Sequence, residues 1–504
     1  MRVLISILLF NQLIFSANIL SNCIVAPDTR TFERFQFTFP EQIESEHFIV
    51  HFTTSNADSQ FVNEQWLNLQ CNFGYAQSVI ELAEYALAIF MEADWEMMPP
   101  DCDEGITDEE SPNHCNNFGG NALYDIYLAN DAVGLVAPEN PYPVEPYIGG
   151  FTSFMQVTPL GNDHTFVPDW SVHVIAHELH HAIQIRYGTS VSGEPGNYAY
   201  NGWLYEQTST YMENVIFPAS YHFLVMMGNC NITSPLTYPE ISIDSSVDIY
   251  QYRSALWQKF LVEAYGDSTI NRLIWEGFGL ETATGNPVNM FPIYESALQT
   301  VTDGVTTLGD AYEDYALWRY FTGSRSRPGE FFMQAASYCT ANLLAIEETS
   351  TTFPSEKGGA RLVKLLPYET NLVLASSAYD NLLVQHISFS EEDEILMSSI
   401  EVNGEESFFQ LNNPAGDNHA LLITSEYTAE PGEEIEFTLS NTVPFIEGDI
   451  TGDSMVNVQD VIVQINIILH QIDPTEYQWL AADLDENNVV DVLDVILLVN
   501  IILS

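Results

Sequence analysis

Residues 173–188 read HVIAHELHHAIQIRYG, and the embedded HELHH decides what kind of domain surrounds it. His177 and His181 are four residues apart, and Glu178 directly follows the first histidine. On a helix, side chains at i and i+4 project from the same face. Two neutral imidazoles in this arrangement can bind one cation, and Glu178 can act on a water beside it. Taken alone, the stretch fits a helix with two metal ligands or a helix whose histidine pair is satisfied by hydrogen bonds within the protein, and other features must decide between them.

Residue types at both ends of this stretch mark the limits of a helix. Pro168 suits the first turn, and Gly188 suits the position after the last turn. We therefore expect one helix over 168–188.

Periodicity upstream predicts strands and one long helix. The predicted strands cover 47–54, 121–129 and 147–159, and the long helix covers 61–95.

A third metal ligand is expected on the next predicted helix, over about 200–217. Zinc in catalytic sites usually takes three protein ligands and leaves the fourth position to water. WLYEQTSTYME, residues 203–213, carries Glu206 and Glu213 seven residues apart, so both point to about the same side. Spacing alone leaves either glutamate as the ligand.

The two segments together resemble the HExxH-plus-Glu zinc peptidases, or gluzincins, over about residues 45–320. WLYEQTSTYME is similar to the WLNEGFAxYxE segment of aminopeptidase-type gluzincins, whose first glutamate binds zinc. The matching residue here is Glu206. The resemblance implies an α+β zincin-type domain in which His177, His181 and Glu206 hold Zn²⁺. It also implies that Glu178 is the base that takes a proton from the zinc-bound water and returns one to the leaving amine.

The same resemblance implies a donor for the oxyanion of the tetrahedral intermediate. DIYQYRSALWQKFLVEAYG, residues 248–266, resembles the downstream helix that carries such a tyrosine. Tyr252 is the preferred residue, and Tyr250 or Arg253 are the alternatives.

Two histidines near the motif are not expected to bind zinc. His180 stands where the family usually has an apolar or small residue, which indicates packing. His173, one turn before His177, is expected to lie behind the ligands or at the surface.

One departure from the aminopeptidases bears on specificity. Those enzymes carry a GxMEN segment whose glutamate binds the free α-amine of the substrate. The comparable strand here reads GGFTSFMQV, residues 149–157, and contains no glutamate. An endopeptidase acting on a protein or peptide substrate is therefore expected.

An internal repeat at the C-terminus predicts calcium binding. GDITGDSMVNVQDVIVQINIIL, residues 448–469, matches ADLDENNVVDVLDVILLVNIIL, residues 482–503, at an offset of 34. Each copy is an Asp/Asn-rich loop that leads into an apolar helix, and such loops supply the oxygen ligands that Ca²⁺ requires. The expected ligands are Asp449, Thr451, Asp453, the Met455 carbonyl and Asp460 in the first loop, and Asp483, Asp485, Asn487, the Val489 carbonyl and Asp494 in the second.

Residues 446–504 resemble type I dockerins, which are all-α, EF-hand-like calcium modules. The resemblance implies a cohesin-type scaffold protein as partner, contacted by residues just before the final aspartate of each loop, here 458–459 and 492–493. Thr451 and Ser454 depart from the usual first loop and predict weaker calcium binding there. A calcium-stabilised cap without a partner is the alternative.

The N-terminal sequence and the net charge indicate where the protein acts and which partners it lacks by default. Arg2 and the apolar run to about Phe15 predict a secretory signal peptide over 1–22 and no transmembrane segment in the mature chain. The protein is thus expected to be secreted or extracellular, with attachment to the cell surface as a variant. The formal net charge of −57, with no Lys or Arg after Lys364, excludes nucleic acid as the default partner.

The predicted order of domains follows from changes along the chain in residue composition and in the spacing of apolar residues. A metallopeptidase domain covers 23–345, a small β-sandwich-like domain covers 356–445, and the dockerin-like module covers 446–504. Export permits oxidation, and Cys102 with Cys115 can close an acidic loop.

Two rival functions belong to other classes. The chain could be a catalytically inactive binding protein whose zinc is structural, or a calcium-loaded adhesion protein that binds through its sandwich. The intact Glu178 argues against the first rival, because a structural zinc site has no use for a base.

Overall fold

The structure is a computed structural model. The predicted signal peptide, Pro168, Asp453 and Ser454 lie outside the residues that it describes. The described residues are 33–62, 65–102, 105–108, 114–129, 134–159, 171–188, 201–218, 221–282, 288–346, 350–354, 357–366, 371–389, 394–411, 418–426, 434–441, 446–452, 455–474, 476–485 and 487–503.

The chain forms two compact units. The first comprises residues up to 342 together with 357–359, and the second comprises 343–356 and 360–504. The HELHH stretch lies in the first unit, and the sandwich and the C-terminal repeat lie in the second. The finer predicted domain limits remain predictions.

A five-stranded sheet forms one layer of the first unit. The strands of this unit are β1 (Glu41–Glu44), β2 (Phe48–Phe52), β3 (Ser59–Val62), β4 (Gln65–Asn68), β5 (Tyr124–Tyr127), β6 (Gly134–Pro141) and β7 (Phe151–Val157). The sheet has the order β1-β2-β5-β7-β6, and β3 pairs with β4 in a separate hairpin. The inner strands β2, β5 and β7 run parallel, whereas β1 and β6 run antiparallel to their neighbours at the two edges.

Helices cover the sheet and form the rest of the first unit. They are α1 (Phe73–Glu92), α2 (Val172–Tyr187), α3 (Gly202–Ile216), α4 (Tyr221–Gly228), α5 (Tyr250–Arg253), α6 (Ala255–Tyr265), α7 (Ile270–Thr282), α8 (Met290–Val301) and α9 (Leu308–Tyr320). Helices α1 and α2 pack on the sheet, and α3 packs against α2. Helix α2 is therefore enclosed between the sheet and α3.

The predicted helix over 61–95 is wrong in its first part. Residues 59–62 and 65–68 form the β3–β4 hairpin, and the helix begins only at Phe73. Its start is fixed by Asn72, whose side chain accepts a hydrogen bond of 2.9 Å from the Tyr75 amide. Apolar spacing did not distinguish the hairpin, in which Phe61 and Trp66 are both exposed, from a helix. The other predicted strands and helices are found where they are described.

Two packed sheets form the sandwich of the second unit. Its strands are β8 (Leu344–Ala345), β9 (Ser350–Pro354), β10 (Ala360–Leu365), β11 (Asn371–Ala375), β12 (Leu382–Phe389), β13 (Leu396–Ile400), β14 (Glu406–Gln410), β15 (Asn418–Ser425) and β16 (Glu434–Asn441). One sheet has the order β13-β12-β15-β10-β8 and the other β14-β11-β16-β9. Because β8 and β9 pair within these sheets, strand structure begins before residue 356.

The C-terminal repeat folds around a small apolar core. Its helices are α10 (Val458–Ile468), α11 (Glu476–Ala482) and α12 (Val492–Leu503). Ile450, Ile467 and Leu498 are buried together with two alanines of α11. The two loop–helix copies thus share one core, which is the reason for the duplicated apolar pattern.

Two disulfide bonds stabilise the first unit. Cys102 is bonded to Cys115, which confirms the predicted pairing, and Cys230 is bonded to Cys339, which the sequence did not indicate. Within the described residues, no helix has both the length and the apolar character needed to cross a membrane.

Candidate metal centre

Helix α2 presents its two motif histidines in a fully enclosed environment. Every side chain from His173 to Tyr187 is buried. The helix ends before Gly188, where a Cβ atom would overlap the side chain of Thr282. Glycine is thus required there by a close approach of α7. A helix buried on all sides must give each polar side chain a partner, so its histidines cannot be surface groups.

The facing helix α3 supplies both candidate glutamates. Glu206 is 7% exposed and Glu213 is fully buried, and they lie two turns apart on the face that packs against α2. Their side chains approach different atoms of the same imidazole. Glu206 Oε2 lies 3.1 Å from His177 Nε2, whereas Glu213 Oε1 lies 2.6 Å from His177 Nδ1.

Three donor atoms converge at one point between the two helices. His177 Nε2 lies 3.0 Å from His181 Nε2, and Glu206 Oε2 lies 3.1 and 3.5 Å from these two nitrogens. Donor atoms of a tetrahedral zinc site with bonds of about 2.0–2.2 Å lie about 3.3–3.6 Å apart. The three residues therefore fit a zinc ion after a small outward movement.

The charge states of these groups suit a divalent cation. Burial raises the pKa of Glu206, but the adjacent His181 and His177 outweigh burial and lower this pKa to about 2. Burial lowers the pKa of His181, so its imidazole is neutral near pH 7. An ionised carboxylate and a neutral imidazole are the forms that bind metal.

Each histidine of the centre is held from behind by a hydrogen bond. His177 Nδ1 donates to Glu213 Oε1, and His181 Nδ1 donates to Gln184 Oε1 at 2.7 Å. Both rings therefore turn their Nε2 atoms toward the convergence point. Such outer partners fix the tautomer and orientation of metal-binding histidines.

Glu178 lies at the interface between α2 and the edge strand β6. Its side chain is fully buried, and a Cβ atom at Gly134 would overlap its carboxylate. The absence of a side chain at Gly134 thus creates the space that the carboxylate occupies. Sequence reasoning did not single out Gly134, because a strand glycine has no distinctive spacing.

The three candidate oxyanion donors occupy different positions. The ring of Tyr252 stacks on His177, with centroids 6.0 Å apart. Tyr250 instead donates from its hydroxyl to the Ile241 carbonyl, and Arg253 donates to the Thr233 carbonyl at 2.7 Å. Among the three, Tyr252 is the residue whose ring contacts a motif histidine.

His180 packs against aromatic residues of α1 and the segment that follows it. Its ring lies 5.3 Å from that of Phe90 and 4.8 Å from that of Trp95, measured between centroids. Burial holds its pKa well below the usual range. This arrangement agrees with the expected packing role.

A second group of buried side chains lies behind His177. His173, Glu213 and His222 bring donor atoms within 4.8 Å of one another. The rings of His173 and His222 stack at 4.4 Å with an interplanar angle of 15°. A metal ion lies in the plane of each imidazole that binds it, at about 2 Å from the nitrogen. Rings stacked in nearly parallel planes are poorly oriented to share an ion in this way, and both oxygens of Glu213 accept hydrogen bonds of 2.6 Å, so the structure shows this group as a hydrogen-bonded cluster.

Sequence reasoning left His173 either behind the ligands or at the surface, and the structure buries it. Sequence reasoning missed His222 entirely. The i, i+4 spacing of His173 and His177 was the available signal for the first. His222 follows a separate stretch of chain and has no spacing relationship to the motif.

The calcium loops of the C-terminal repeat have the geometry of cation sites. Asp449, Asp460 and Asp494 are fully buried, and Asp483 is 8% exposed. In the second loop, oxygens of Asp483, Asp485 and Asp494 lie within 4.8 Å of one another. Because no Lys or Arg occurs in this region, only a cation can balance these carboxylates.

Backbone groups orient the loop carboxylates. Asp460 Oδ1 accepts from the Thr451 amide at 2.8 Å, and Asp494 Oδ1 accepts from the Leu484 amide at 2.9 Å. Asn488 has a φ of 65°, a left-handed conformation that asparagine adopts more readily than most residues. It replaces the glycine usual at that turn of the loop.

The remaining predicted calcium ligands lie along the same loops. The Thr451 hydroxyl is 3.3 Å from Asp449 Oδ1, and the Asn487 amide donates to Asp483 Oδ1 at 3.1 Å. The side chains of Met455 and Val489 are exposed, as expected where only the carbonyl binds.

Comparisons with known proteins assign two parts of the chain. Residues 166–292 match a family of unknown function (DUF6055), and residues 447–503 match the type I dockerin domain. No curated protein matches the chain. The chain therefore carries a C-terminal type I dockerin, which implies calcium binding and a cohesin-type partner. All the residues described around His177, from His173 to Tyr252, lie within the first match.

Proposed function

We propose that this chain is a secreted zinc-dependent endopeptidase that its dockerin attaches to a cohesin-bearing partner. The observation that carries the proposal is the convergence of His177, His181 and Glu206, whose donor atoms lie 3.0–3.5 Å apart. The buried carboxylate of Glu178 on the same helix supplies the base that a purely structural site does not need.

In the proposed peptide hydrolysis, the metal ion and the side chains of the protein have separate roles. A zinc ion held by the three ligands supplies Lewis acidity, which lowers the pKa of water from 15.7 to about 7. Glu178 accepts the proton of the attacking water and returns it to the nitrogen of the leaving amine. The edge strand β6 excludes solvent from one side of Glu178, because the Gly134 backbone lies against its carboxylate.

Tyr252 is the proposed donor to the developing oxyanion. Its ring stacks on His177, which places it beside the ligand set. Tyr250 and Arg253 already donate to backbone carbonyls, so they are less suitable. A preorganised donor of this kind is worth about 10²–10³ in kcat in acyl-transfer enzymes.

The substrate class is an internal peptide bond of a protein or peptide. Residues 149–157 contain no glutamate to bind a free α-amine, and β7 within this stretch is an inner strand of the sheet. A substrate with a blocked N-terminus is therefore expected to be cleaved as readily as a free one.

The dockerin offers a duplicated apolar stripe for its partner. Exposed side chains on or directly after α10 recur 34 residues later on α12. They are Val458, Ile462, Ile465 and Leu469, and then Val492, Ile496, Val499 and Leu503. Dockerin proteins are typically extracellular components of cellulosomes, which agrees with secretion.

The deciding experiment is Glu178→Gln. This substitution keeps the shape of the side chain and leaves the three ligands untouched, so zinc should remain bound. Loss of the positioned base should lower the rate of casein hydrolysis by roughly 10²–10⁴. Zinc content and turnover of both proteins are measured side by side. If the wild type carries zinc but cleaves no denatured protein, and the variant is indistinguishable from it, the inactive binding protein is the correct reading.

A further inference from the structure

We infer that His222 is a positioning residue for the metal centre, acting through Glu213 on the zinc ligand His177. The inference rests on the proposed zinc site and adds a residue from a third helix, α4, to it. The three side chains form one continuous hydrogen-bonded chain that runs from α4 through α3 to α2.

The contacts of Glu213 define this chain. Glu213 Oε1 accepts from His177 Nδ1 at 2.6 Å, and Glu213 Oε2 accepts from His222 Nδ1 at 2.6 Å. All three side chains are buried, with exposures of 1% for His177, 0% for Glu213 and 6% for His222. Both oxygens of one carboxylate are thus engaged by two imidazoles from different helices.

The two contacts of Glu213 set the direction of these hydrogen bonds. A carboxylate can only accept hydrogen bonds, so both Nδ1 atoms carry the protons. His177 therefore keeps its Nε2 lone pair for the convergence point with His181 and Glu206.

His222 determines the orientation of the Glu213 carboxylate. With one imidazole bound, the carboxylate could rotate about its terminal bond, because that torsion is broad. The second hydrogen bond fixes the plane of the group and satisfies an oxygen that would otherwise lack this buried donor. Fixing the plane of Glu213 fixes the ring of His177.

Surrounding structure holds His222 itself in place. Its ring stacks on His173, which lies one turn before His177 on α2. Close to the far end of α4, Cys230 is bonded to Cys339, and the Cys339 amide donates to the Met227 carbonyl at 2.7 Å. Helix α4 therefore cannot move away from the centre without breaking these contacts.

The test compares two substitutions of His222 by zinc affinity, measured by competition with a chelator. His222→Leu removes the donor, whereas His222→Asn retains a donor near the Nδ1 position. Loss of an outer partner typically lowers metal affinity by 10- to 100-fold. We expect a loss of this size for His222→Leu and a smaller loss for His222→Asn. The matched control is His386→Leu, since His386 is also buried, at 4%, but lies in the sandwich.

Two further readouts separate positioning from a merely structural role. The thermal midpoint of each metal-free protein reports folding, and the visible spectrum of the cobalt-substituted protein reports the geometry of the ligands. A changed cobalt spectrum and weaker zinc binding in a folded His222→Leu protein support the inference.

Two results would overturn it in distinguishable ways. If His222→Leu and His222→Asn both fold and bind zinc with wild-type affinity, His222 has no positioning role, whether or not the thermal midpoint falls. The proposed zinc site itself would be unaffected by that result. A wild-type protein that binds no zinc rejects the proposed function and, with it, this inference.

Discussion

Glu206 and Glu213 face opposite nitrogens of one imidazole, and this difference bears on their proposed roles. Glu206 Oε2 lies near the Nε2 atoms of both His177 and His181, whereas Glu213 lies on the Nδ1 side of His177. An oxygen on the Nδ1 side cannot share the ion that Nε2 binds, because the imidazole separates them. Spacing alone left the two residues equivalent, and the geometry favours Glu206 as the proposed third ligand.

We predict that Glu206→Ala abolishes stoichiometric zinc binding and that Glu213→Ala does not. The first substitution removes one of three ligands, while the second removes only the acceptor behind His177. Zinc content is measured by atomic absorption after dialysis against a weak chelator. At saturating zinc, Glu213→Ala should approach one ion per chain. The opposite ranking of the two variants would show that the third ligand is Glu213.

The backbone of Gly134 lies close to the proposed base. A Cβ atom at this position would overlap the Glu178 carboxylate, and β6 is held by its ladder with β7. We predict that Gly134→Ala displaces Glu178 and lowers casein turnover at least tenfold, with zinc content unchanged, since misplacement by about 1 Å can cost 10²-fold.

The matched control for that substitution is Gly202→Ala, because no atom lies within 4 Å of the added Cβ position. This variant should keep wild-type turnover. Equal activity of Gly134→Ala and Gly202→Ala would mean that the carboxylate adjusts freely or is not used.

Sequence patterns identified the parts of the centre that depend on local geometry. His177 and His181 follow from the period of one helix, and Glu206 from its resemblance to a known segment. The hydrogen bonds that link His222 through Glu213 to His177 could not be predicted, because they depend on how α4 packs against two other helices. Gly134 was missed for the same reason, since only the approach of β6 to α2 gives that glycine a role.

At the level of helices and strands, apolar sequence patterns located elements that are largely buried. Strand β2 and helix α3 were predicted within a few residues of their limits. The β3–β4 hairpin was missed because its aromatic residues are exposed, so their spacing does not report a buried face. The duplicated loop–helix unit was the most predictable element, since each copy supports the interpretation of the other.

We predict that the isolated segment 446–504 gains helix when calcium is added. Asp449, Asp460 and Asp494 are fully buried, and without a cation their charges oppose folding. Circular dichroism in a chelator and then in excess calcium measures the change. Asp460→Ala and Asp494→Ala, each disabling one loop, should require more calcium for the same helix content. A segment that is already fully helical in the chelator contradicts the prediction.

Across the whole chain, metal chemistry separates the two units. The first presents two imidazoles and one carboxylate, a ligand set that suits zinc, and the second presents only oxygen donors, which suit calcium. The acidic composition contributes to this separation, because a region without Lys or Arg has no side chain that can replace a divalent cation. The proposed zinc site and the calcium loops therefore offer different ligand types in different units of the chain.

The two disulfides close loops of very different length, and this difference predicts unequal contributions to stability. Cys102 and Cys115 are separated by 13 residues, and Cys230 and Cys339 by 109. In the chain-entropy model, a loop of about 15 residues contributes about 3 kcal/mol and one of about 100 residues about 4.7 kcal/mol. Replacing both cysteines of a pair by serine should therefore lower the free energy of unfolding by more for Cys230–Cys339.

Denaturant unfolding followed by tryptophan fluorescence measures this ranking in the first unit, because every tryptophan except Trp479 precedes residue 342. Cys71→Ser is the control, since Cys71 is buried but is not in a disulfide. The loss in free energy of unfolding for Cys71→Ser measures the effect of replacing one buried sulfur without opening a loop. The Cys230–Cys339 variant should also bind zinc more weakly, because loss of this bond frees the far end of α4, the helix that carries His222. An equal or larger cost for the short loop would show that local strain, and not chain entropy, governs these bonds.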